Sequence, residues 1–137
     1  MANIAICFFG HIGGKKGRDG AGGWNDPAIL KKNYEEFIFK GHIVDTFIHS
    51  WSVDAKDELI SLYKPRSYTI EEQIDFDSKG LEGYKLNQIN TYSPICRTQK
   101  NPLEYLQTLA YRSKSRWYSA MQSFRLLQSY AENNDVK

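Results

Sequence analysis

An apolar run closed by glycine opens the chain and constrains its fold more than any other feature. Ile4-Ala5-Ile6-Cys7-Phe8-Phe9 carries no charged side chain, and Gly10 ends it. Such a run is far too short to span a bilayer and reads as a buried strand. His42 to Trp51 repeats the pattern, with Ile43, Val44, Phe47 and Ile48 making it apolar on both faces. Continuous apolar strands joined by helices indicate a parallel sheet covered on both sides.

The connections have helical punctuation. Asp26 can accept backbone N–H bonds and Pro27 suits a first helical position. Ile29, Leu30, Tyr34, Phe37 and Ile38 then form an apolar stripe, and Gly41 suits the left-handed stop. Asp54 to Tyr63 predicts a short helix with Leu59, Ile60 and Leu62 inward and Pro65 beyond its end. Ser67 to Glu71 predicts a third strand, giving β-α-β-α-β with right-handed crossovers. Asn101-Pro102 opens a long helix over 102–133 with room for a kink near Arg112-Ser113-Lys114. Leu103, Leu106, Ala110, Ser113, Trp117, Ala120, Phe124, Leu127 and Ala131 keep helical spacing and mark its expected inward face.

Two stretches lack periodicity. Seven of the ten glycines fall between Gly10 and Gly23, making residues 10–26 a glycine-rich loop. Residues 73–100 read as a functional loop, a lid or a local excursion. The 137 residues predict a single α/β domain, 1–137, as a three-layer, Rossmann-like, open and mostly parallel sheet. A doubly wound sheet continues with another strand after its long helix, and Asp135-Val136-Lys137 reads as its threshold. The chain is therefore expected to be the N-terminal half of a larger fold.

Composition excludes several partners. Eighteen basic and sixteen acidic residues leave a net charge of +2, which advertises neither nucleic acid nor a membrane surface. Cys7 and Cys96 cannot make a zinc site, and Met1-Ala2-Asn3 lacks the basic start of a secretory signal. A soluble cytoplasmic protein without a membrane span is the expectation.

Three groups of residues carry candidate chemistry. In open α/β sheets ligands bind beyond the carboxyl ends of the strands, and glycines let backbone amides approach a phosphate. Gly10, His11, Ile12 and Gly13 are placed for that role, although the loop matches neither the P-loop spacing nor G-x-G-x-x-G. Its distal part, Lys15 to Gly23, reads equally as a surface loop. At the end of the second strand His49 could bond a ribose or phosphate and Trp51 could pack on a base; a satisfied structural pair is the alternative. Glu71 and Glu72 close the third strand at the same edge. On the long helix Arg112 and Arg116 share one face and could clamp a diphosphate, whereas Lys114 points elsewhere. Asp75-Phe76-Asp77 spells a metal-binding pair but follows no apolar strand, so no metal site is expected.

Five segments recur together in a familiar order: Ile4 to Gly10, Val44 to Trp51, Lys64 to Gln73, Ser115 to Ser123 and Gln128 to Asn134. In this order the chain resembles the N-terminal half of a group of glycosyltransferase-like proteins of bacteria, phages and large viruses. These have a GT-A (nucleotide-diphospho-sugar transferase) fold. The resemblance implies a domain that binds a nucleotide-diphospho-sugar donor and is incomplete as an enzyme. The Asp-x-Asp-like pair and acceptor half of such proteins would follow beyond this chain, so no cofactor is implied here, and manganese or magnesium only in a full-length relative. By carry-over, Phe9, Gly10, His11, Ile12 and Gly13 would touch the nucleotide. His49, Ser50 and Trp51 would flank it, and Arg116 would reach the diphosphate. The glycine-rich insert departs from the shorter loop typical of the group. The rival expectation is a non-enzymatic Rossmann-like domain that forms a homodimer through an exposed strand edge.

Overall fold

Three strands form one parallel sheet in the order β1-β2-β3: β1 (Asn3–Gly10), β2 (Ile43–Ser50) and β3 (Ser67–Ile70). The computed structural model describes residues 2–11, 27–76 and 100–134. β1 and β2 pair residue for residue from Asn3 opposite Ile43 to Gly10 opposite Ser50. β3 adds four positions, from Ser67 opposite Phe47 to Ile70 opposite Ser50. The chain is thus α/β with an open, parallel three-stranded sheet and helices, the class that the apolar runs indicate. It divides into two compact units, Met1–Gln73 with Tyr118–Lys137, and Ile74–Trp117.

In the first unit the strand pleat sorts side chains onto two faces. Phe8 packs between Tyr34 and Tyr63, at ring distances of 5.2 and 5.0 Å. Those tyrosines end α1 (Pro27–Tyr34) and α2 (Lys56–Tyr63), which follows a single 3-10 turn at Val53–Ala55. Phe47 and His49 point the other way. Phe47 meets Tyr130 edge-on at 5.5 Å, and His49 meets Ser119. Both partners lie on α3 (Pro102–Asn133), whose bounds are those that the sequence spacing predicts. Central β2 is accordingly buried from Thr46 to Ser50.

Two inward faces differ from their prediction. After α1 the chain makes a π-helical turn, Glu35–Phe39, which adds residues per turn and shifts the stripe's phase. Tyr34 and Phe39 stack at 6.1 Å, while Phe37 and Ile38 within the turn are exposed, Phe37 by 78%; Ile29 and Leu30, which precede the turn, are exposed as well. On α3, Ser119 and Ser123 are buried, whereas Ser113 is exposed and Trp117 is 71% exposed. The reason lies in the sheet. Phe47 and His49 on β2, and Trp51 just beyond it, are large side chains, and a close-packed layer opposite them accepts small helix residues.

The turns follow their local rules. Gly41 takes φ +79 beyond the π turn, as its left-handed stop requires. Lys64 closes α2 in the left-handed region, its N–H donating to the Ile60 carbonyl, and Pro65 follows. In the second unit Asn101 and Glu104 cap α3 reciprocally: the Glu104 N–H donates to Asn101 Oδ1 and the Asn101 amide to the Glu104 carboxylate. Phe76 packs edge-on against Tyr111, whose hydroxyl donates to the Ile74 carbonyl. Among the described residues no helix is long and apolar enough to cross a membrane. Most of the glycine-rich loop, residues 77–99 and the expected strand at 135–137 lie outside the described residues.

Burial, then the nearby Tyr34 and Glu35, pushes the Tyr63 phenol up from 10.0 to about 12. Between those values the unfolded chain loses the proton and the folded chain keeps it, so stability falls as pH rises through the window. Urea unfolding across it should show a flatter dependence in Tyr63→Phe than in the parent. Equal slopes would contradict the assignment.

Candidate functional site

The carboxyl ends of β1 and β2 border a cavity of about 210 Å³. Its inner wall is apolar and aromatic, from Phe8, Ile48, Leu59, Tyr34 and Tyr63, and its strand-end rim includes Phe9, Gly10, His11, His49 and Ser50. Five of the nine residues singled out from sequence therefore meet at one place. Parallel strands start and stop together, so residues ending successive strands converge at one sheet edge. Ile12 and Gly13 lie outside the described residues. Arg116 is exposed and belongs to the second unit. A broader hollow of about 610 Å³ in that unit is lined by Lys100, Asn101, Glu104, Tyr105 and Thr108. Asn101 and Glu104 are already engaged in the helix cap.

Gly10 is held at this rim from both ends of its peptide groups. Its N–H donates to Ser119 Oγ at 2.8 Å. Its carbonyl accepts from Ser50 Oγ at 2.9 Å and from the Trp51 N–H at 3.4 Å. Its φ of +103 suits only glycine without strain, whereas among the described residues a Cβ there would meet no atom within 4 Å.

His49 lies behind the rim with 0% exposure and both ring nitrogens engaged. Nδ1 lies 2.6 Å from Ser119 Oγ and Nε2 lies 2.9 Å from Glu71 Oε1. Ser119 Oγ is also 3.3 Å from the His49 carbonyl, to which it can donate. Trp51 is buried too, edge-on to His49 at 4.7 Å and stacked with Tyr118 at 5.6 Å. His49 and Trp51 thus present their rings to protein neighbours and hold the strand ends. Glu71 was legible as a strand-end carboxylate. Ser119 was not singled out, though serines at 115, 119 and 123 share one helix face and carried the signal.

The rim offers the exposed His11 ring, whose Nε2 lies 3.2 Å from Gln73 Oε1, whereas the Ser50 hydroxyl is buried, donating to the Gly10 carbonyl and accepting from the Ser52 N–H. Among the described residues no lysine or arginine lines the cavity. It can therefore seat a flat, uncharged group against aromatic walls, with a polar group directed outward. Among the described residues there is no grouping of three or more His, Cys, Asp or Glu that could hold a metal ion. No protein-family model matches the chain, nor does any curated protein or solved structure.

Ser119→Ala removes a buried acceptor from Gly10 and a partner from His49. It should lower the unfolding free energy by about 1–3 kcal/mol, whereas Ser113→Ala on the exposed side should stay within about 0.5 kcal/mol. Denaturant titration of the two variants checks both; equal effects would show that the serine face is not the packed one.

Proposed function

We propose that this chain is a glycosyltransferase-like, GT-A-type domain that recognises a nucleotide-diphospho-sugar donor at the carboxyl ends of β1 and β2. The observation that carries the reading is the convergence of Phe9, Gly10, His11 and Ser50 on one aromatic-walled cavity. The base and part of its ribose suit the apolar interior, in which an uncharged ring system needs no cation. The diphosphate then lies outside the cavity, beyond Gly10 and His11 at its rim. His49 supports the rim from behind. Donor recognition is the role this reading gives to these residues.

One observation favours a second reading, a binding domain that dimerises through β1. The strand's eight residues include no charge and no proline, and among the described residues it pairs on one side only. Natural edge strands carry such residues to prevent pairing with another chain.

Thermal unfolding with UDP, GDP, CDP and their sugar conjugates tests both readings, with sedimentation velocity run on the same samples. A ligand at a hundred times its dissociation constant should stabilise the fold by about 2.7 kcal/mol. Stabilisation by one base series, weakened by His11→Ala, supports donor recognition. No response at millimolar ligand, together with a concentration-dependent dimer, would overturn it in favour of the second reading.

A further inference from the structure

The hydrogen-bond chain behind the cavity can exist in two arrangements that differ by one proton. With Glu71 ionised, Nε2 of His49 carries a hydrogen and donates to it across 2.9 Å. When the ring is neutral, Nδ1 is bare, and Ser119 must turn its hydroxyl hydrogen toward it across 2.6 Å. When the ring is protonated, Nδ1 becomes a donor to Ser119 Oγ. The hydroxyl hydrogen is then displaced toward the His49 carbonyl, 3.3 Å away. Ser119 Oγ accepts from the Gly10 N–H in both arrangements.

Every hydrogen has a place in either state, which is unusual for a ring with 0% exposure. A buried imidazolium needs a counter-charge and a second acceptor, and Glu71 and Ser119 supply them. Glu71, 38% exposed, connects the pair to solvent and gives the proton a route in. We propose that Glu71, His49, Ser119 and Gly10 form a proton-operated relay. Protonation of His49 reverses its hydrogen bond with Ser119 and so alters the hold on the Gly10 amide at the cavity rim.

The groups around the ring are few. β3 brings Glu71, with exposed Glu72 next to it. α3 brings the Tyr118 ring, centred 5.8 Å away, and β2 itself brings Trp51. β1 brings Gly10, with Cys7 two strand positions before Phe9, the register partner of His49. Among the described residues Glu71 is the only charged side chain bonded to His49. His11 neighbours Gly10 in sequence and carries a second imidazole, so it has to be silenced in any test. The relay is independent of which ligand the cavity takes.

Nuclear magnetic resonance of the full-length chain carrying His11→Gln, labelled with nitrogen-15, follows both ends of the relay without ligand. As the pH is lowered and the His49 ring nitrogens report uptake of a proton, the Gly10 amide should move with the same midpoint. Adding Ser119→Ala should leave the ring titrating and hold the Gly10 amide still. Adding His49→Gln should abolish the Gly10 movement, and this variant decides the matter if Ser119→Ala fails to fold. A Gly10 amide that stays flat while the ring titrates would overturn the relay. So would unchanged Gly10 movement in either variant, or loss of the folded spectrum before the ring takes up a proton.

Discussion

The burial of one imidazole governs the end of the sheet on which any function of this chain depends. His49 is the penultimate residue of β2 and is wholly enclosed. A polar ring in that position destabilises a fold unless each nitrogen finds a partner. One partner comes from the end of β3, at Glu71, and the other from α3, at Ser119. The same serine receives the amide of Gly10 from β1. Three strands and one helix are therefore tied at a single node just behind the cavity. Trp51 and Tyr118, stacked beside it, give the node an aromatic flank.

This node explains the unexpected face of α3. Hydrophobic spacing alone selects Trp117 and Phe124 as inward residues, because a helix normally turns its bulk toward the core. Here the bulk belongs to the sheet, and the helix answers with Ser119 and Ser123. Apolar periodicity assigns a face by chemistry; packing assigns it by volume, and the two disagree when strands carry the large side chains. The π turn after Tyr34 is a second case of this kind. Nothing in Glu35-Glu36-Phe37-Ile38-Phe39 spells a wider turn, yet it moves Phe37 outward and brings Phe39 against Tyr34.

Much of the framework was legible for the opposite reason. Ile4 to Phe9 is apolar at every position, and Ile43-Val44 and Phe47-Ile48 flank Asp45-Thr46, enough to mark two strands; burial on both faces holds only for β2 from Thr46 to Ser50, since no residue of β1 is fully buried and Phe9 is 48% exposed. Gly41 and Asn101-Pro102 mark their boundaries through backbone conformation and capping, which are local properties. The cavity followed from topology, since strand ends in a parallel sheet share an edge. The residues that fix its rim were harder to see, because Ser119 is 70 residues from His49 and 109 from Gly10 in the chain. A hydrogen bond over that separation leaves no trace in spacing.

Native-state hydrogen exchange at the Gly10 amide tests most directly whether this node organises the strand ends. Gly10 ends an edge strand, where amides ordinarily exchange through local fraying at little cost. Held by Ser119, its amide should exchange only through global unfolding, as slowly as the amides of buried Phe47 and Ile48. Exchange at the rate of a frayed strand end would show that the contact between Ser119 and Gly10 does not persist in solution and that His49 does not tie β1 to the rest of the sheet.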